Sequence, residues 1–127
     1  PALQEDIEAL RPQPEATKPM ALDGHVLTSD AHRLVDNWLY LAGIPHAVNR
    51  RLPVPEAQRA DFYLPEGNVF LELWGASTGA KAIEHKLNRA EIYKRNNLAL
   101  IEIEPDDIPD LDEILPRRLL QFGIAVY

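Results

Sequence analysis

An α/β domain built on a mixed central sheet flanked by helices is expected from three features of this 127-residue chain. Apolar residues recur at helical spacing around residues 31–42 and 83–90. Four short strand-like runs lie between and after these stretches, two of them joined by the turn Pro65-Glu66-Gly67-Asn68. The resulting order, α-β-β-β-α-β-α, puts a hairpin before a strand–helix–strand unit. That order implies a mixed sheet with a right-handed crossover.

Taken in order, residues 1–22 carry Pro1, Pro12, Pro14 and Pro19 and little periodic pattern. They read as a tail or linker, with a short helix at residues 5–10, and residues 23–127 as the domain. The segment is acidic and proline-rich, unlike a signal peptide, and a first residue other than Met points to a cut or processed end. Ser29 is a good N-cap and Asp30 favours a first helical turn. Ala31, Leu34, Val35, Trp38 and Ala42 follow at helical spacing with Leu39 beside them, and Gly43 is placed to end the helix, giving residues 30–42. Residues 45–52 read as a weak strand, 60–64 and 69–74 as hairpin strands. A second helix over 80–96 carries Ile83, Leu87 and Ala90 as its inner stripe. A strand over 98–103 and a helix over about 110–121 complete the chain, with Pro116 placed to kink the last helix.

Composition excludes several classes. No cysteine is present, so there is no disulfide and no thiolate metal site. No apolar run approaches the 18 or so residues of a membrane span, and a cytoplasmic location is expected. The formal charge of −7 is uneven: residues 102–113 hold seven acids and no base, leaving thirteen acids against thirteen bases elsewhere. Lys81, Lys86, Arg89, Lys94 and Arg95 form a basic cluster that can hold phosphates despite the net charge.

The hairpin poses the chemical question. If Glu66 and Gly67 form the loop, Leu64 pairs with Val69, Tyr63 with Phe70, Phe62 with Leu71 and Asp61 with Glu72. Two carboxylates then stand opposite each other with Cβ atoms roughly 5 Å apart, a destabilising arrangement. A divalent cation turns that repulsion into coordination, and Mg²⁺ suits carboxylate oxygens, water and the Leu73 carbonyl. The competing readings are that Asp61 ends its strand and points to water, or that a Gly67 bulge pairs Asp61 with Leu71 and separates the acids.

The stretch "ADFYLPEGNVFLELWG" resembles the hairpin of the PD-(D/E)XK, or restriction-endonuclease-like, nuclease superfamily. The likeness continues upstream through "VLTSDAHRLVDNWLYLAGIPHAVNRRLP" and downstream through "IEHKLNRAEIYKRNNLALIEI" and "LDEILPRRLLQFGI", so it spans about residues 24–124. It implies a restriction-endonuclease-like α-β-β-β-α-β core. Asp61 matches the metal-binding Asp and Glu72 the acid of the E-x-K element. Trp74 stands where the lysine of that element belongs, and in such subfamilies the cation is found on the next helix. There Lys86 matches the first cation and Arg89 the second, three residues apart on one helix face, and Arg89 and Tyr93 match a cation-x-x-x-Tyr element. His32 stands where a Glu is common. It is either a helix-start residue in place of a capping-box acid or an imidazole ligand favouring Mn²⁺ over Mg²⁺.

The function this implies is a metal-dependent DNA endonuclease or nicking domain. Asp61, Glu72, Leu73 and His32 would hold Mg²⁺ or Mn²⁺. Lys86, ahead of Arg89, would assist the attacking water because burial can lower a lysine's pKa. Lys81, Tyr93, Lys94 and Arg95 would contact the nucleic acid, with DNA expected ahead of RNA. A homodimer or a fused partner domain would serve to cut both strands. Two other readings remain at this level: a decayed nuclease fold that binds nucleic acid or protein without cleaving, and an acidic interaction domain using residues 102–113. Trp38 reads as core, Trp74 as core or a stacking platform, and His25, His46 and His85 as ordinary polar residues.

Overall fold

The Ser29 hydroxyl accepts the His32 amide at 3.2 Å and starts helix α1, Asp30–Leu41. Gly43, at φ +73°, ends it: the Ile44 amide turns back to the Leu39 carbonyl at 2.9 Å. Strands β1 (Ala47–Arg51), β2 (Arg59–Leu64) and β3 (Val69–Leu73) follow, then helix α2 (Ala80–Arg95) and strand β4 (Ala99–Ile103). A 3-10 helix, Pro105–Asp110, leads into helix α3, Leu111–Leu120, which runs on through Pro116. The computed structural model describes residues 18–127; most of the expected tail and the helix expected at 5–10 lie outside them.

The four strands stand in chain order, β1-β2-β3-β4, with the first two pairs antiparallel and β3–β4 parallel. The described residues therefore form a mixed α/β domain with a four-stranded mixed sheet and three α-helices. The hairpin takes the register the Glu66-Gly67 loop demands: Leu64 opposite Val69, Tyr63 opposite Phe70, Phe62 opposite Leu71. Asn68 sits at φ +46°, a conformation its short amide side chain tolerates. A Cβ on Gly67 would come within 2.9 Å of the Ile124 side chain, so the residue's smallness lets the turn pack on the chain end.

Alternation along the strands sends side chains to two cores. Val69 and Leu71 join Val35 and Leu39 of α1 and Leu111, Leu115 and Leu119 of α3 in the larger one. Phe70 joins Tyr93 of α2 in the smaller one, with Leu52 and Ala60. Helices thus flank both faces of the sheet. One expected inner face is partly right and one is wrong. On α1, Val35 and Leu39 are buried as expected, but Leu34 is exposed and Asp36 is buried among them. On α2, Ile83 and Leu87 point outward, half or more exposed. The turn that faces the sheet carries Arg89 and Tyr93, because what it meets there is polar. Packed structure reaches upstream of residue 23: Ala21 is buried in the larger core, and Met20 bridges Val26.

The acid-rich run is anchored rather than free. Asp107 Oδ2 accepts the Glu104 amide at 2.9 Å and Arg118 Nη1 at 3.0 Å, and these bonds, the amide first, hold its carboxyl below the ordinary range. A depressed carboxyl contributes stability above its unfolded pKa, about 3.9, and loses it as pH falls through the lower folded value. Asp107→Ala should therefore cost about 1 kcal/mol near pH 7. By urea denaturation at acid pH, wild type and variant should converge; an equal gap at both pH values would show that the carboxylate is not the cause.

Candidate active site at the splayed end of the hairpin

The β2–β3 ladder stops at Phe62–Leu71. One residue further on, side chains take over from carbonyls. The Leu73 amide donates to Asp61 Oδ2 at 2.8 Å, and the Asp61 amide donates to Glu72 Oε1 at 3.3 Å. Each carboxylate thus accepts an amide of the opposite strand, which offsets part of the repulsion between them. Asp61 and Glu72, with Leu73, line one open cleft of about 370 Å³, together with Thr28, His32 and Arg89.

Glu72 is buried, and every hydrogen bond it takes among the described residues goes to Oε1. Arg89 Nη2 donates at 2.8 Å and the Tyr93 hydroxyl at 2.8 Å. Burial foremost, and then the Asp61 charge, pushes the Glu72 carboxyl above its ordinary range, against the pull of Arg89 and Tyr93. Tyr93 is driven up in turn, by its burial and by Glu72, so it is a fixed hydrogen-bond donor rather than a titrating group. Burial alone would lower the Arg89 pKa, but the hydrogen bond and charge of Glu72, with the nearby Tyr93 and Asp61 groups, together outweigh it and hold Arg89 as a cation. It also donates to the Arg59 carbonyl at 2.6 Å and to Gln58, so its fork is locked.

Asp61 meets α1. His32 Nε2 lies 3.1 Å from Asp61 Oδ1, and its Nδ1 lies 2.6 Å from the Ser29 hydroxyl. The ring stacks beside Phe62 at 6.4 Å between centroids. Ser29 therefore caps the helix and orients the imidazole at once.

Other expected residues fall elsewhere. Lys86 does not reach the carboxylates. It pairs with Glu104, and its ammonium lies 5.5 Å from the centre of the Trp74 ring. One helical turn before Arg89, it meets the end of β4 instead of β3, and the cation at Glu72 is Arg89. Trp74 belongs to neither core; it lines the cleft. Tyr93 is inside the protein and offers no surface to a nucleic acid. Lys81 and Lys94 are exposed at opposite ends of α2, roughly 20 Å apart at 1.5 Å per residue, and Arg95 is tied to Glu56. They form no single patch.

The only set of three or more His, Asp and Glu side chains whose ligand atoms all lie within 4.8 Å of one another, among the described residues, was not expected: Asp23, His25, Asp36 and His46. These side chains are close enough to bind a metal ion. Asp61, Glu72 and His32 do not converge as tightly. Among the described residues no helix is long and apolar enough to cross a membrane. Comparison with protein-family models, curated proteins and solved structures finds no match to this chain.

Proposed function

We propose that this chain is a metal-dependent phosphodiesterase of the PD-(D/E)XK kind, a DNA endonuclease or nicking domain working at the Asp61–Glu72 cleft. The observation that carries the reading is the placement of two carboxylates of adjacent strands in one open cleft, each with a locked partner from a different helix. The order α-β-β-β-α-β and the cation-x-x-x-Tyr pair at Arg89 and Tyr93 support it.

The donor types suit Mg²⁺ or Mn²⁺: Asp61, the Oε2 atom of Glu72, the Leu73 carbonyl and, for Mn²⁺, the His32 imidazole. Because the three side chains do not converge on one point, waters and the substrate phosphate would complete the shell, as is usual for Mg²⁺. Such an ion supplies Lewis acidity and a bound water of lowered pKa. The chain's own residues do the rest. Arg89 fixes Glu72 and offsets negative charge at the cleft, a cation that gives up no proton. Tyr93 holds the same carboxylate from inside. His32 sets the direction of Asp61.

The test is digestion of supercoiled plasmid in Mg²⁺ and in Mn²⁺. Nicked or linear product that disappears with chelator supports the proposal. Salt-sensitive binding without cleavage in either ion selects the non-cleaving module, a reading that Trp74 in the lysine position favours. His32→Ala should slow cleavage about 10–100-fold, the usual effect of losing a side chain that orients a metal ligand, and His32→Glu should restore activity with a preference for Mg²⁺. Cleavage by His32→Ala equal to the parent in both ions would leave His32 only its helix-start role.

A further inference from the structure

We infer that Asp23, His25, Asp36 and His46 form a structural Zn²⁺ site that fastens the turn before α1 to the body of the domain. This inference does not depend on the nuclease reading.

The four residues come from three places. Asp23 and His25 flank Gly24, whose φ of +94° closes a tight turn. The turn is tied by Ala21 N to His25 O at 2.8 Å and by Leu27 N to Pro19 O at 2.8 Å. Asp36 is on the buried face of α1 and is fully enclosed. His46 stands immediately before β1, its side chain 5% exposed.

The ligand atoms are arranged as a closed set. His25 Nδ1 lies 3.0 Å from Asp23 Oδ2 and 2.9 Å from Asp36 Oδ2. His46 Nε2 lies 3.0 Å from Asp23 Oδ2 and 3.2 Å from Asp36 Oδ1. Four ligands about 2.0–2.1 Å from a tetrahedral zinc are roughly 3.3 Å from one another. These four His–carboxylate spacings, which involve both oxygens of Asp36, are slightly shorter, and one ligand atom from each residue lies within 4.8 Å of the others, so a small opening of the set would take the ion.

Two further observations point to a ligand. Asp36 Oδ1 and His46 Nε2 are both buried, and neither has a hydrogen-bond partner among the described residues; they approach each other without the alignment of a hydrogen bond. Buried polar atoms are seldom left this way. In addition, for two of the four residues the atom not aimed at the centre is already engaged. His46 Nδ1 lies 2.8 Å from the Ile44 carbonyl and can donate to it, leaving Nε2 as the lone-pair nitrogen. Asp23 Oδ1 accepts the His25 amide at 3.0 Å, which leaves Oδ2 for the centre. Anchoring of a ligand by its second atom is the usual support around a metal.

The chemistry selects the ion. Two imidazoles and two carboxylates in a four-membered set suit Zn²⁺ better than Mg²⁺ or Ca²⁺, which take more ligands, all of them oxygen. Four protein ligands leave no open position, so the site is structural rather than catalytic. Two carboxylates within a buried space also need positive charge beside them, and a divalent ion supplies it. His25, about a third exposed, is the side by which the ion enters.

The test uses the full chain stripped with chelator and reloaded with Zn²⁺. Elemental analysis should return one zinc per chain, and Zn²⁺ in roughly hundredfold excess over its Kd should raise the melting temperature by roughly 10 °C. Co²⁺ loading should give the intense visible absorption of a tetrahedral centre. His46→Gln and Asp36→Asn, mild changes in size, should abolish all three effects, while Asp61→Asn should keep them. A chain that takes up no stoichiometric metal and melts identically with Zn²⁺ and with chelator would overturn the proposal and leave an ion-pair network. Zinc retained by both His46→Gln and Asp36→Asn would overturn it equally, as would binding of Mg²⁺ or Mn²⁺ in preference to Zn²⁺.

Discussion

Arg89→Met is expected to lower the stability of the chain by about 3 kcal/mol, near the low end for removing one partner of a buried ion pair. Arg89 is 12% exposed and Glu72 5%, so solvent does not screen the pair as it would a surface bridge. Without the guanidinium, a carboxylate already raised by burial and by Asp61 keeps only Tyr93 and the Asp61 amide as donors. The pH dependence fixes the cause. A raised folded pKa means that the protonated acid is the form the fold tolerates. That tolerance is complete below the unfolded value, about 4.3, and is lost as pH rises through the folded value. Loss of Arg89 moves the folded value further up, so the deficit of the variant should be small in acid and grow on the way to neutrality. The double variant Arg89→Met with Glu72→Gln should recover most of the loss, since no buried charge remains. Urea midpoints for the two single variants and the pair complete the cycle. Additive losses, or a deficit unchanged with pH, would show that Arg89 contributes packing and not charge.

On the proposed function, Asp61→Asn is expected to lower plasmid cleavage on the order of 10³-fold, about 4 kcal/mol of barrier, with little change in the melting temperature. The substitution keeps a side-chain oxygen for the Leu73 amide, so the splayed end of the hairpin is preserved. It removes the negative charge that faces His32 and the cleft. Excess Mn²⁺ should restore only part of the rate. Cleavage within a few-fold of the parent would move the chemistry away from this cleft altogether.

The hairpin was legible because its determinants are local. A turn of Pro, Glu, Gly and Asn leaves few registers, and the wrong one would turn Leu64 and Phe62 away from the core. The first helix was legible at its ends, where Ser29 and Gly43 act through their own backbone, and less so along its length. Asp36, a charged residue that no apolar pattern points to, is among the most enclosed of the described side chains. Helix α2 was misread for a related reason. Ile83 and Leu87 make an apolar stripe on paper, while the residues that do the inward work are Arg89 and Tyr93, whose partner Glu72 is itself buried and charged. Periodicity finds the face that meets oil, not the face that meets a carboxylate. The Asp23–His46 cluster was out of reach for a third reason: its members are spread over 24 positions in a turn, a helix and a strand entry, and only the tertiary fold makes them neighbours. The "DGH" run at residues 23–25 was the one available signal, two ligand types on either side of a glycine.

The two tryptophans stand in different settings, and this gives the protein two intrinsic optical reporters. Trp38 packs on the larger core, and its indole N–H is donated to Asp112 at 2.6 Å, joining α1 to α3. Its emission follows the integrity of the fold. Trp74 lines the cleft beside Glu72 and Arg89, under the Lys86 ammonium. Its indole is placed to respond to a ligand that enters the cleft. On the proposed reading, with Trp38 replaced by Phe, fluorescence quenching on titration with Mn²⁺ or an oligonucleotide would report occupancy of the cleft without any turnover. With Trp74 replaced by Phe, the remaining signal reads unfolding alone. Binding and folding can thus be followed separately in one chain, without an added label.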